Sequence, residues 1–219
     1  MTKLTVTLMI GKTYSLQPLL FKKMMIKSEE QIAIEKENIN AINVFPIPDG
    51  DTGSNIYFTL QAIVKEVLQI DEENRDKIFH AISKGSFVGA KGNSGVIYSQ
   101  FLIGVVEHLD KAAEITPINF TQALKEGTEF AYESVLNPTE GTILTVMKAI
   151  TERAAQLIKE NPTIDWVEYI NQLVMASHIT LKQTKEMLDV LKEANVVDAG
   201  AKGFVHILES WRDIIVGSE

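Results

Sequence analysis

Cysteine is absent from all 219 residues, which excludes disulfides, thiolate metal centres and cysteine nucleophiles. That composition fits a reducing compartment. Positive charge is also scarce: 21 Lys and Arg face 29 Asp and Glu, for a net charge of -8 and a pI near 5.1. With no arginine-rich stripe, general affinity for nucleic acid or an anionic membrane is not expected. No apolar run approaches the roughly 20 residues that span a bilayer. The first residues, MTKLTVTLMIGKTYSLQP, carry a short apolar patch without a signal-peptide cleavage region, so the chain is read as unexported and cytoplasmic. A short strand and a loose leader both remain open for this segment. Histidine is sparse: His80, His108, His178 and His206 are dispersed without H-x-x-x-H or H-E-x-x-H spacing, and packed or surface roles are expected.

What is present reads as helix. Hydrophobic residues make up 45% and charged residues 23%, a globular balance, and the length suits one domain with a sizeable core. After residue 18, apolar residues recur at i, i+3, i+4 and i+7 in segment after segment, as in SNIYFTLQAIVKEVLQ. About eight helices joined by short loops are predicted, the first of them open to a break near its middle, and TIDWVEYINQLVMASHITLKQTKEMLDVLKEA is read as one. Short loops favour antiparallel neighbours in an up-and-down arrangement. The predicted fold class is all-α.

Glycine gathers at the starts of these helices, in GDTGSN (50–55), GAKGNSG (89–95), EGTIL (140–144) and DAGAKG (198–203). A helix start exposes unpaired N–H groups and partial positive charge, so it can cradle phosphate, and glycine lets an anion approach the backbone. Ser54, Asn55, Ser94 and Thr142 are also ordinary capping residues, so each loop taken alone is more simply read as a cap. Four such loops in one helical domain strain the capping-only reading.

Asp49 and Asp51 are the sharpest feature. Two carboxylates two residues apart in a glycine turn can face one cation, and hard oxygen ligands suit Mg²⁺. Asn43 could add an amide oxygen. An EF-hand is excluded, because its position 12 would be Leu60 or Ala62 instead of Glu. A P-loop is excluded because Val6 stands where GKT at 11–13 would need a glycine. Neither a dinucleotide-binding fingerprint nor the kinase sequence set is present. On spacing alone, a metal site and a solvated turn both stay open.

Taken together and in order, NVFPIPDGDTGSN, GAKGNSGVIYSQ, EGTILTVMKAI and VVDAGAKGF resemble the nucleotide-binding domain shared by bacterial fatty acid kinases and the ADP-binding subunit of dihydroxyacetone kinase. The resemblance covers residues 19–219 and leaves 1–18 as an unmatched leader. The NVFP-x-PDGDTG form is closer to the fatty acid kinase branch than to the GDGDHG-like loop of dihydroxyacetone kinase. It implies an eight-helix antiparallel barrel holding ATP or ADP with two Mg²⁺ at one end. Asp49 and Asp51 match metal-binding aspartates, and Asn43 takes the place of a third ligand. Thr52, Gly53, Ser54 and Asn55, with Gly92, Asn93, Ser94 and Gly95, fall on phosphate-contacting segments. Thr142, Asp198 and Gly200 fall on segments that close around the nucleotide. Lys91 replaces an expected arginine, and Ser54 a commoner threonine; both preserve the chemistry.

The activity so implied is phosphoryl transfer from ATP to a fatty acid carried by a separate lipid-binding protein. No catalytic residue beyond the metal ligands is expected, since a carboxylate acceptor is already nucleophilic. The alternatives are the dihydroxyacetone kinase subunit itself and a non-catalytic nucleotide sensor. Fatty acid kinases of this branch carry further domains after this one, so the chain is expected to be either a single-domain relative or a fragment.

Overall fold

A computed structural model describes residues 15–71 and 73–218, which leaves most of the 1–18 leader outside the described residues. Among the described residues there are nine helices and no strand. They are α1 (Pro18–Asn40), α2 (Thr52–Val67), α3 (Arg75–Gly89), α4 (Gly92–Lys111), α5 (Pro117–Glu133), α6 (Ile143–Glu160), α7 (Trp166–Met187), α8 (Asp189–Ala194) and α9 (Ala199–Val216). Eight are long and match the expected barrel; the six-residue α8 is the addition.

Two expectations need correction. The first helix does not break: α1 runs unbroken for 23 residues, because Met24, Met25, Ser28, Ile32 and Ile39 are all buried along its inner face. The polar run at its middle, Glu29 to Gln31, lies toward the outside and costs the helix nothing. The segment predicted as one helix from residue 163 to 194 does break. Leu188 is extended, with φ -124° and ψ 128°, and separates α7 from α8. Close packing accompanies the break: a Cβ on Gly141, at φ +86°, would stand 2.8 Å from Met187 Cβ and 3.1 Å from Leu188 Cγ.

Consecutive long helices pack side by side, and α9 returns to pack on α1, closing the ring. The contacts α4 makes with α5 are unusually intimate, since a Cβ on Gly104 would lie 2.7 Å from the Cα of Gly127. Inside the ring, Phe120 stands edge-on to Trp166 (5.5 Å between ring centroids) and to Trp211 (6.3 Å), which knits α5, α7 and α9. Tyr169 is fully buried beside them, and its hydroxyl meets Thr121 Oγ1 at 2.7 Å. Thr121 already donates to the carbonyl of Pro117, so Tyr169 is the donor. Tyr169→Phe is expected to cost about 1 kcal/mol and lower the melting temperature by roughly 2–4 °C. Denaturant unfolding of the two proteins side by side measures this directly.

Alternation of direction has one consequence for function. The connections after α1, α3, α5 and α8 all fall at the same end of the ring, so α2, α4, α6 and α9 all begin there. Those are the four glycine-bearing helix starts. Among the described residues no helix is long and apolar enough to cross a membrane.

Candidate functional site

The 41–51 turn joins α1 to α2 and is organised by a buried amide. Asn43 Oδ1 accepts hydrogen bonds from the N–H of Asp51 (3.2 Å), the N–H of Thr52 (3.0 Å) and the Thr52 hydroxyl (2.7 Å). Its Nδ2 donates to the carbonyls of Ile47 (3.1 Å) and Phe45 (3.5 Å). Three donors converge on that amide oxygen, so Asn43 frames the turn, and it also lines the small cavity beside Asp49 and Asp51. Asn40 adds a second tie: its Oδ1 accepts the Ser54 N–H (3.1 Å) and its Nδ2 donates to Ser54 Oγ (3.0 Å). Nothing in the sequence pattern singles out Asn40, because its partner lies 14 residues away.

So framed, the turn leaves Asp49 and Asp51 exposed, and Gly50 between them takes φ +68°. Both aspartates line a small cavity of about 180 Å³ with Asn55, Gly92, Asn93 and Ser94. Among the described residues, no group of three or more His, Cys, Asp or Glu side chains is placed to hold a metal. A divalent ion here could therefore draw only two carboxylates from the chain, with water or phosphate completing its shell. Mg²⁺ tolerates that arrangement, since it dehydrates reluctantly and commonly keeps water and phosphate oxygens. None of the four histidines lines this cavity.

A larger cavity of about 530 Å³ adjoins the first and shares Pro46, Thr52, Gly92, Asn93 and Ser94 with it. Its remaining wall includes Phe45, Val96, Val135 and Leu136 on the apolar side, and Thr142, Asp198 and Gly200 at the starts of α6 and α9. Phe45, Val96, Val135 and Leu136 escape motif reasoning, because a single apolar side chain in a loop or at a helix start carries no periodic signal. Gly53, Ser54 and Gly95 line neither cavity. The two glycines have a packing reason of their own. A Cβ on Gly53 would fall 2.3 Å from the Lys36 carbonyl oxygen of α1, and one on Gly95 would fall 2.4 Å from Thr59 Oγ1 of α2.

The four helix starts differ in how their free N–H groups are used. At α2, Asn43 and Asn40 take the N–H groups of Thr52 and Ser54. At α6, Thr142 caps the Leu144 N–H at 3.4 Å and donates its own hydroxyl to the Thr139 carbonyl. At α9, the Asp198 carboxylate takes the N–H of Ala201 at 2.8 Å. Burial pushes the Asp198 carboxyl up to about 6, although the neighbouring backbone N–H groups pull it back down. The start of α4 is different: Lys91 provides no side-chain cap, and Gly92 sits at φ +62°. Gly92 must also stay bare, since a Cβ would meet Asn55 Nδ2 at 2.3 Å. The uncapped start of α4 faces both cavities, which makes it the best-placed anion cradle of the four.

Known proteins share this sequence and this architecture. The DAK2 domain profile matches residues 46–213. Protein YloV of Bacillus subtilis (strain 168) is 37% identical over 191 residues, which is 87% of this chain and 34% of that one. Uncharacterized protein SAB1090 of Staphylococcus aureus (strain bovine RF122 / ET3-1) is 34% identical over 200 residues, or 91% of this chain and 36% of that one. The chain thus spans about a third of the length of these relatives. In three dimensions it is similar to the dihydroxyacetone kinase from C. freundii crystallised with AMP-PNP and Mg²⁺, with a TM-score of 0.65 at 15% identity. That match covers 97% of this chain and 37% of the kinase, and the native form of the same kinase gives a TM-score of 0.66. At such low identity the structural likeness establishes the fold, while the profile match establishes kinship: the chain belongs to the DAK2 domain family.

Proposed function

We propose that this chain binds a purine nucleoside di- or triphosphate with Mg²⁺ and serves ATP-dependent phosphoryl transfer. The observation that carries the reading is the pair of adjoining cavities. An acidic turn and an uncapped helix start stand at one side, and an apolar-walled chamber of nucleoside size stands at the other. Asp49 and Asp51 would hold the metal, whose contribution is to neutralise phosphate charge and align it for in-line transfer. The N–H groups at Gly92, Asn93 and Ser94 would receive the phosphate oxygens, and the chamber beside Phe45, Val96 and Leu136 the nucleoside. The AMP-PNP and Mg²⁺ in the structurally similar kinase support this choice of ligand class.

The acceptor is proposed to be a fatty acid presented by a separate lipid-binding protein. No histidine lines either cavity, so the lining offers no imidazole base to activate a neutral hydroxyl or hold a small ketone. A carboxylate needs no such base. The exposed side chains Ile47, Phe58, Phe87 and Val88, on the turn and on α2 and α3, would offer apolar surface to that partner. A cytoplasmic location is proposed from the lack of cysteine.

The experiment is ADP release with fatty acid, with a fatty-acid-binding protein, and with both. Turnover that requires both is expected. Efficient phosphorylation of free dihydroxyacetone by this chain alone would show that the acceptor is wrong. Tight MgATP binding without turnover on any acceptor would favour the sensor reading.

A further inference from the structure

Among the described residues, five buried polar side chains line the two cavities, and four of them are hydrogen-bonded within the chain. Thr52 donates its hydroxyl to Asn43 Oδ1 at 2.7 Å, and Asn43 in turn donates to the Ile47 carbonyl at 3.1 Å. Thr142 donates to the Thr139 carbonyl at 2.7 Å, and Asp198 accepts the Ala201 N–H at 2.8 Å. The fifth is Asn55. It is only 8% exposed, and its side-chain amide meets no hydrogen-bonding partner among the described residues.

An unpaired amide at that depth is costly, because it loses its hydration and gains no bond in return. Its position is nevertheless closely fixed. A Cβ on Gly92 would stand 2.3 Å from Asn55 Nδ2 and 2.8 Å from its Cγ, so the amide lies directly against the uncapped start of α4. Its own backbone N–H donates to the Asp51 carbonyl at 2.8 Å, which ties it to the acidic turn. The amide thus stands between the aspartate pair and the anion cradle, and it opens into the cavity they share.

Which part of a ligand reaches it follows from how the cavities join. Thr52, Gly92, Asn93 and Ser94 line both cavities, whereas Asp49, Asp51 and Asn55 line the smaller alone. With a nucleoside in the apolar-walled chamber, the polyphosphate crosses the shared rim at α4. Only its far end enters the smaller cavity.

We propose that Asn55 is a specificity-determining residue that reads the number of phosphates. Its amide donates to the terminal phosphate of a nucleoside triphosphate and stays unpaired when a diphosphate is bound. The inference rests on the nucleotide reading above and adds to it a means of telling triphosphate from diphosphate. An amide suits the task because it is neutral and two-sided: Nδ2 donates to a phosphate oxygen, and Oδ1 accepts from water held by the metal.

The first test needs no ligand. Asn55→Ala removes an amide that bonds to nothing in the unliganded chain, so its melting temperature should equal or exceed that of the wild type. The second is calorimetry with MgADP and with AMP-PNP and Mg²⁺. In Asn55→Ala the affinity for AMP-PNP should fall about tenfold, while that for ADP stays within about twofold of the wild type. Asn55→Leu, of similar size and without donors, should show the same selective loss and serves if the alanine variant does not fold. A lower melting temperature in both variants would make the amide structural and overturn the proposal. Equal weakening of the two nucleotides, or wild-type affinity for both, would overturn it as well while leaving the nucleotide reading intact. A wild-type chain that binds neither nucleotide overturns that reading, and this inference with it.

Discussion

The double variant Asp49→Asn/Asp51→Asn is expected to bind MgATP about a hundredfold more weakly than the parent while melting at nearly the same temperature. The asymmetry follows from where the two groups sit. Both are exposed, and Asp51, although it stands at the cap position of α2, makes no capping bond with its side chain. Asparagine keeps the shape of each side chain and removes the charge that would hold Mg²⁺ against phosphate. The turn itself should persist, because Asn43 and Asn40 supply its hydrogen bonds. Calorimetry with MgATP and a thermal melt on the same preparation separate the two effects. Undiminished affinity would return this turn to a purely structural role.

The opposite pattern is expected one turn further on. Gly53→Val should destabilise the chain by about 3 kcal/mol, a fall of roughly 10 °C in melting temperature, through collision of the new side chain with the α1 backbone. The Lys36 carbonyl oxygen stands 2.3 Å from the Cβ position, with the Lys36 carbonyl carbon and Cα both at 2.9 Å, and backbone cannot swing aside as a flexible side chain could. Gly50→Ala is the control. The nearest atom to its Cβ is Asn40 O at 3.9 Å, so the cost there is left-handed strain alone, about 1 kcal/mol. If Gly53→Val instead folds as well as the parent and loses only nucleotide, close approach of phosphate becomes the better reason for that glycine.

These glycines mark the boundary of what the sequence discloses. Helical period and loop length are enough to anticipate an all-helical, up-and-down arrangement, because burial of one face leaves its mark every third or fourth residue, whereas closure into a barrel is implied only by the family resemblance. The gathering of four glycine-bearing helix starts at one end follows from alternation of direction alone. A glycine needed for anion approach and a glycine needed for helix packing, however, are the same letter. Gly92 and Gly95 stand three residues apart in one motif, yet Gly92 lines both cavities and Gly95 lies against Thr59. Asn43 is a similar case. Its residue type suits a metal ligand, and only the three donors converging on its oxygen reveal that it also frames the turn. Asn40 and the apolar wall at Val135 and Leu136 leave no local signature at all, because their significance comes from neighbours remote in sequence.

The five hydrogen bonds of Asn43 bear on the thermodynamics of ligand capture. A turn that becomes ordered only around its ligand loses backbone freedom at the moment of binding, and each residue so fixed subtracts from affinity. Here the stretch from Phe45 to Thr52 is already held in one shape by a single interior amide. Most of its ordering entropy has therefore been lost during folding, and the attraction between the aspartate pair and a metal–phosphate complex can appear almost undiminished as affinity.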